Sequence, residues 1–252
     1  MKRYFNSRKN LIAPNTFWRN YYALKRSDDD FNISVALKSG LQVETSRHLI
    51  SAFDEIFCRE VYLDALTDLK PQPTVIDIGA NVGYFSLYLL SNFPQAKVLA
   101  FEPLPVNAKL LEKHVKMNDL QDRLAIEPSA VYGTEDAIQI HFNNTLDFSV
   151  GASILNWEDT NEVLDIKAYS LPEILKAFGL DHVDLMKIDC EGAEYNILYN
   201  CPDDTFKKID RLAIETHAWV TEGKVDELMS FLKSKGYHVN LKSNGIAVCV
   251  RK

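Results

Sequence analysis

Hydrophobic positions along the chain follow one period and then switch between two. Residues 46–69 set Leu49, Ile50, Phe53, Ile56, Phe57, Val61, Leu63, Leu66 and Leu69 at three- and four-residue steps, which predicts an amphipathic helix with room for one break. Just before it, residues 32–43 predict a hairpin turning at Ser39-Gly40. Then Val75, Ile76 and Ile78 form a short β-branched run suited to a strand covered on both faces, and residues 84–90 return to helical spacing. The alternation continues with strands at 97–101, 124–131, 183–189 and 209–214. Helices are predicted at 105–117, at 171–178 stopped by Gly179, from Glu191-Gly192 through Leu198, and at 225–235. Residues 137–142 and 163–169 predict an inserted or edge hairpin, with a polar stretch at 145–155 between them. Residues 237–242 and 246–251 predict a closing antiparallel hairpin around Ser243-Asn244-Gly245. Strands alternating with helices from residue 74 onward imply an α/β fold with a mostly parallel, doubly wound sheet.

Charge divides the chain unevenly. Lys2, Arg3, Arg8, Lys9, Arg19, Lys25 and Arg26 stand in the first 27 residues without one acid, while the remainder holds 21 basic and 35 acidic side chains, a net of −14. So acidic a body does not suit general nucleic-acid binding. The basic arm interleaves Tyr4, Phe5, Phe17, Trp18, Tyr21 and Tyr22. That mixture suits either an arm packed on its own domain with its cations in water, the favoured reading, or contact with an anionic membrane surface or a charged glycan. No apolar run approaches the roughly 20 residues of a spanning helix, and residues 1–22 are too interrupted by Lys, Arg and Asn for a signal peptide, so a cytoplasmic location is expected. Cys58, Cys190, Cys201 and Cys249 lack metal-site or framework spacing and read as free thiols.

The chemistry concentrates in two places. The first is Asp77-x-Gly79-x-Asn81-x-Gly83, between the strand at 74–78 and the following helix, where glycines let the backbone turn sharply and approach a ligand. A carboxylate ahead of the glycines is unwelcoming to a pyrophosphate, which disfavours a dinucleotide and a dehydrogenase. S-adenosylmethionine, a cation without phosphate, suits the turn better, and its ribose calls for an acid at the end of the next strand. Glu102 stands there, 25 residues after Asp77, and Ser129 and Ala130 at the exit of the third strand leave space for an adenine ring.

The second place is Lys187-Ile188-Asp189-Cys190-Glu191-Gly192-Ala193-Glu194. Three carboxylates within six residues at a strand end are costly unless they hold a cation, a hydroxyl or a metal, although helix-start acids account for Glu194. The next strand ends in Glu215-Thr216-His217, which places a histidine and a carboxylate along the same edge. Asp189, Glu191 and His217 are also possible divalent-metal ligands, the main mechanistic rival to a metal-free reaction.

The segments VIDIGANVGYFSLYL, FEPLPVNAKLLEKHVKMN, MKIDCEGAEYNIL and IETH occur in an order and spacing that resemble the FkbM family of S-adenosylmethionine-dependent methyltransferases. The resemblance spans about residues 74–217 and leaves the first 45 or so uncovered. It implies the class I methyltransferase Rossmann-like fold, a seven-stranded sheet of order 3-2-1-4-5-7-6 with helices on both faces. An N-terminal, largely helical extension (1–70), an acceptor-binding or lid element, would precede the methyltransferase domain (71–252). By position, Asp77, Gly79, Asn81 and Gly83 would bind the methionine end, Glu102 the ribose, and Ser129 and Ala130 the adenine. Asp189, Glu191 and His217 would stand nearest the transferred methyl, with His217 the first choice of base. The implied reaction is O-methylation of a hydroxyl on a sugar, glycan or natural product. The alternatives are a non-catalytic cofactor-binding partner in glycan synthesis, or another acceptor such as RNA or protein. The chain has no Pro-Pro pair of the kind expected in an amino-methyltransferase of nucleic acids.

Overall fold

A computed structural model describes residues 2–26, 31–134, 137–142, 161–217 and 224–251. Asp28-Asp29-Asp30, whose sequence predicts a short acidic turn, and the polar stretch at 145–155 lie outside the described residues. The basic arm forms α1 (Lys2–Asn10) and α2 (Pro14–Arg26), the latter opened by a proline that needs no helical N–H donor there. Phe17, Tyr21 and Leu24 recur on one face of α2 and enter the main core. Trp18 Nε1 donates to Ser7 Oγ at 2.9 Å, and the Arg3 guanidinium sits over the Trp18 and Tyr21 rings while pairing with the buried Asp54. The arm is thus packed on its own domain.

A hairpin follows, β1 (Ile33–Ala36) with β2 (Gln42–Thr45). The single amphipathic helix expected at 46–69 is instead three pieces. These are α3 (Ile50–Asp54), a wider π-turn (Glu55–Arg59) and, past Glu60 in the left-handed region, α4 (Leu63–Leu66). Glu60 explains the break. Its carboxylate is buried and accepts from Lys9 Nζ, Asn10 Nδ2 and Tyr88 Oη at 3.0–3.2 Å, tying the arm to the domain.

The central sheet contains β3 (Thr74–Ile78), β4 (Lys97–Phe101) and β5 (Leu124–Glu127), interleaved with α5 (Tyr84–Asn92) and α6 (Pro105–Met117). The strand expected at 124–131 ends early because Pro128 has no N–H for the ladder. Ser129 N–H turns back to Glu127 O, and β6 (Ala130–Val131) leaves the central sheet. Together with β7 (Ala137–Phe142) and β8 (Glu162–Tyr169), β6 makes a small side sheet. The chain then adds α7 (Leu171–Ala177), β9 (Leu185–Ile188), α8 (Glu194–Tyr199), α9 (Asp203–Phe206), β10 (Arg211–Glu215), α10 (Val225–Ser234), β11 (Tyr237–Leu241) and β12 (Ile246–Arg251).

The sheet order is β11-β12-β10-β9-β3-β4-β5, parallel except for the antiparallel β12. Counted along the chain this is 3-2-1-4-5-7-6, the expected arrangement. Side-chain alternation divides the core. Val75, Val98, Ala100 and Leu185 pack towards α5, α6 and the N-terminal region, and Ile76, Ile78, Leu99 and Met186 pack towards α7, α8 and α10. The N-terminal region and the sheet therefore share one apolar cluster rather than two separate cores. The order reverses between β3 and β9, and at such a switch point an open α/β sheet leaves a crevice beyond the strand ends.

Candidate active site

That crevice holds a cavity of about 360 Å³ over the carboxyl ends of β3, β4, β9 and β10, within the range usual for small-molecule sites. The side sheet closes one flank with Ile138 and Ile140. The N-terminal region closes another with His48, Ser51, Glu55 and Tyr62.

One half of the cavity suits a nucleoside. After β3, the N–H groups of Gly79 and Ala80 both reach Phe101 O, which folds the turn against the end of β4. Asn81, in the left-handed region at φ 51°, donates its N–H to Glu102 Oε2 at 2.7 Å. Glu102 also accepts from Leu104 N–H at 3.0 Å and Asn107 Nδ2 at 3.2 Å, so three of its roughly four lone-pair sites are filled while its carboxylate remains on the wall. Burial pushes this acid up to about 7 although those three donors pull it down. A ribose hydroxyl would supply the remaining donor. Ser129 and Ala130 line the same half beside Ile138 and Ile140, a small-residue floor with an apolar side for a flat ring.

Packing by itself requires glycine at both positions. A Cβ on Gly79 would sit 1.8 Å from Asp189 O, because β9 exits directly behind the turn, and a Cβ on Gly83 would sit 2.3 Å from Leu111 Cδ1 in α6. Gly79 lines the cavity and Gly83 does not.

Asp77 is also off the wall. Register pairs it with Lys187 on β9, and alternation puts Asp189 on the same face. Lys187 Nζ donates to Gly79 O at 2.7 Å and lies 3.2 Å from Asp189 Oδ2 and 3.4 Å from Asp77 Oδ1, while Ser86 Oγ donates to Asp77 Oδ2 at 2.6 Å. Burial opposes the charge on Lys187, but the two carboxylates outweigh it and hold the ammonium above the ordinary lysine range. The expectation that Asp77 greets a cationic donor directly is therefore corrected. Its charge is taken up inside the protein, and what it fixes is the lysine that ties the first turn to the fourth central strand.

The other half of the cavity is a crowd of acids. Glu191 sits in the left-handed region at φ 49°, a conformation costing about 1 kcal/mol for a residue with a Cβ. Glu194 holds that turn. Buried, it accepts the Cys190 and Gly192 N–H groups at 2.9 Å each and His217 Nδ1 at 2.8 Å. His217 Nε2 in turn lies 3.4 Å from Glu191 Oε2 and 4.0 Å from Asp189 Oδ1. Burial works against its charge, but the Glu194 hydrogen bond and the charges of Glu194, Glu191 and Asp189 raise it to about 9, so it is an imidazolium at neutral pH. Glu191 is pushed up to about 7, first by burial, with His217 pulling it down and Asp189 pushing it up. Asp189 and Glu191 line the cavity, and His217 stands behind them.

Two residues outside the expected catalytic set complete this half, Glu215, read from the sequence only as a carboxylate at the strand end, and Tyr62, not read as a site residue at all. Glu215, two positions before His217, lies on the wall and is raised to about 8 by burial and the Asp189 charge. Tyr62 Oη lies 3.2 Å from Asp189 Oδ2 and 3.1 Å from Glu215 Oε2, and burial beside both keeps the phenol protonated. Its single hydrogen serves one carboxylate at a time, and a protonated Glu215 supplies the second donor. Glu215 was legible from strand period; Tyr62 was not, since only the break after the π-turn aims it inward. Asp189, Glu194 and His217 also present ligand atoms within 4.8 Å of one another, close enough for a metal. However, Lys187 already faces Asp189, and Glu194 is engaged by two N–H groups and the imidazolium. Cys190 also reaches the wall, where burial and the adjoining acids keep its thiol protonated.

The chain is similar to known proteins in sequence and in fold. The chain is 26% identical over 231 residues to Methyltransferase sdnD of Sordaria araneosa, covering 78% of this chain and 88% of that one. It is 24% identical over 212 residues to the 31-O-demethyl-FK506 methyltransferase FkbM of Streptomyces tacrolimicus, covering 74% and 81%. The crystal structure of Methyltransferase FkbM from Methylobacillus flagellatus KT superposes with a TM-score of 0.51 at 14% identity. It covers 94% of this chain, which spans 58% of that longer one, and is evidence for the fold alone. The Methyltransferase FkbM domain matches residues 77–239, from the first turn past both halves of the cavity to the closing hairpin. The chain belongs to the FkbM family of methyltransferases.

Proposed function

We propose that the chain methylates a hydroxyl oxygen on a sugar, a glycan or a natural-product small molecule. It is a methyltransferase, and its methyl donor is S-adenosylmethionine, which when bound supplies an electrophilic methyl group on a positively charged sulfur. The observation carrying the choice of a hydroxyl is the placement of Glu191 on the cavity wall at about pKa 7 beside the His217 imidazolium. An alcohol is a poor nucleophile, and a carboxylate poised near neutrality is the proton acceptor it lacks. The Streptomyces relative is named for methylation at an oxygen, which agrees with this choice.

In this reading Glu102, fixed by the Asn81 N–H, holds the donor's ribose, with Ser129 and Ala130 under its adenine, and the acidic half of the cavity holds the acceptor. Asp189, Tyr62 and Glu215 orient the acceptor hydroxyl so that it, the methyl carbon and the sulfur fall in line, which supplies most of the acceleration. Glu191 takes the hydroxyl proton at a carboxylate oxygen. His217 is thereby moved from base, its expected role, to a positioning residue. A fixed imidazolium pointing its Nε2–H at Glu191 has no lone pair for a substrate proton.

Glu102→Ala is expected to weaken S-adenosylmethionine binding by about 10- to 100-fold, the worth of hydrogen bonds to a charged acceptor, with turnover at saturating donor nearly kept. Calorimetry and saturation kinetics would check it, and unchanged affinity would remove Glu102 from the ribose.

Acceptor class is tested by incubating the protein with methyl-labelled S-adenosylmethionine and lysate separated into glycans, lipids, RNA, protein and small molecules, with and without a chelator. Label in the glycan or small-molecule fraction, indifferent to the chelator, is expected. Label in RNA or protein would overturn the acceptor, and loss with the chelator would restore a metal to Asp189 and His217.

A further inference from the structure

Packing of the arm leaves its outer surface with an unusual composition. α1 turns Arg3, Asn6, Ser7 and Asn10 inward and leaves Lys2, Tyr4, Phe5, Arg8 and Lys9 exposed. The bend before α2 exposes Ile12, and α2 buries Phe17, Tyr21 and Leu24 while exposing Arg19, Tyr22, Lys25 and Arg26. Phe5, Ile12 and Tyr22 are 58%, 61% and 53% exposed, and four of the nine exposed large hydrophobic side chains among the described residues, Tyr4 with these three, fall within α1, α2 and the bend between them. Tyr4 Oη donates to Asn15 Oδ1 at 2.7 Å, which ties the starts of the two helices side by side. Exposed aromatic and aliphatic groups scattered singly need no explanation, but here they gather where every charge is positive.

We infer that this face of α1 and α2 docks on an anionic lipid bilayer. The Phe5, Ile12 and Tyr22 side chains enter the headgroup boundary, and the Lys and Arg side chains around them meet lipid phosphates and carboxylates. Charge complementarity chooses the occupant and sets the orientation. The described α1 and α2 contain no acid, whereas the chain beyond residue 27 has a net charge of −14 and is repelled by the same surface. A neutral protein partner would use the apolar groups and leave the net positive charge of the face unmet. The contact is peripheral, since no helix among the described residues is long and apolar enough to cross a membrane. It also has a bearing on the cavity. α1 packs on the π-turn whose Glu55 and Ile56 line the acidic half, so the docking face and the acceptor end share one element.

Co-sedimentation of the full chain with phosphatidylcholine vesicles, alone or with phosphatidylserine as about a third of the lipid, tests the inference. Binding to the mixed vesicles at about 0.1 M salt is expected, with little to the neutral ones and with release at several-fold higher salt. Arg8→Glu with Arg19→Glu should lower partitioning by at least about 25-fold, since each basic group near such a surface is worth about five-fold. Phe5→Ser with Ile12→Ser, at unchanged charge, should lower it by about ten-fold. All four positions are exposed and outside the cavity, so donor affinity and thermal midpoint should stay at wild-type values and certify the fold. Equal binding to both vesicle types, no binding to either, or capture by a polyanion such as heparin or RNA without binding to the mixed vesicles would each overturn it.

Discussion

Gly79→Ala should leave little folded protein, with a loss of about 4 kcal/mol or more from the roughly 5–15 kcal/mol that holds a domain together. Two costs act at one atom. The residue sits at φ +71°, where a side chain costs about 1–2 kcal/mol, and the new Cβ would stand 1.8 Å from the carbonyl oxygen of Asp189. That oxygen is backbone at the end of a central strand, so relief requires β3 and β9 to part at the floor of the cavity. Parting them would also stretch the Lys187 bridge, whose ammonium holds Gly79 O and the Asp189 carboxylate together. Gly179→Ala is the control. It shares the positive φ at +62° but faces open space, so about 1 kcal/mol is expected. Urea midpoints of the two variants, read beside wild type, decide the matter. Equal losses would mean that the turn has slack the close approach denies.

The same turn shows how far residue patterns reach. Its strand, helix, left-handed glycine and distant Glu102 were all legible, because period, turn chemistry and spacing are local properties of the chain. The sheet order was not, and its expectation rested on the family resemblance, since a count of strands and a closing hairpin does not say which strands are neighbours. What escaped was direction across the fold. Asp77 looked like a ligand because nothing in the spelling of β3 says that Lys187 lies opposite it, and its charge is quenched by a partner 110 residues on. Nor does the helical repeat at 46–69 show that Glu60 is buried, since its cation and amide partners come from the arm. The π-turn was hidden in a helical repeat. It ends in the left-handed Glu60, the break past which Tyr62 reaches the cavity wall, and no propensity distinguishes that course from an unbroken helix. Pro128 was visible, and its effect on the third strand follows from the missing N–H, but the side sheet that receives Ala130 depends on residues more than thirty positions away.

The division of labour between Glu191 and His217 carries the other large effect. Glu191→Gln should lower kcat by about 100- to 10,000-fold, the usual worth of a proton-transfer group, with donor affinity kept. In wild type the active form is the ionised carboxylate, so the rate should climb with pH through about 7 and level off above it, and the Gln variant should lose that rise. His217→Ala separates the two candidates by the direction of its pH response. The imidazolium pulls Glu191 down, so removing it lets the acid move above 7 and leaves less carboxylate at neutral pH. The variant should therefore be slow at pH 7 and recover a large part of its rate by about pH 9, as the displaced acid ionises. A histidine acting as the base itself gives another pattern, because with its imidazole gone higher pH has nothing to restore. A flat, low profile for His217→Ala beside a nearly active Glu191→Gln would return the proton to His217. The expected rescue instead follows from the buried Glu194, whose hold on Nδ1 turns Nε2–H towards Glu191 and makes the charge of the imidazolium, rather than its basicity, the useful property.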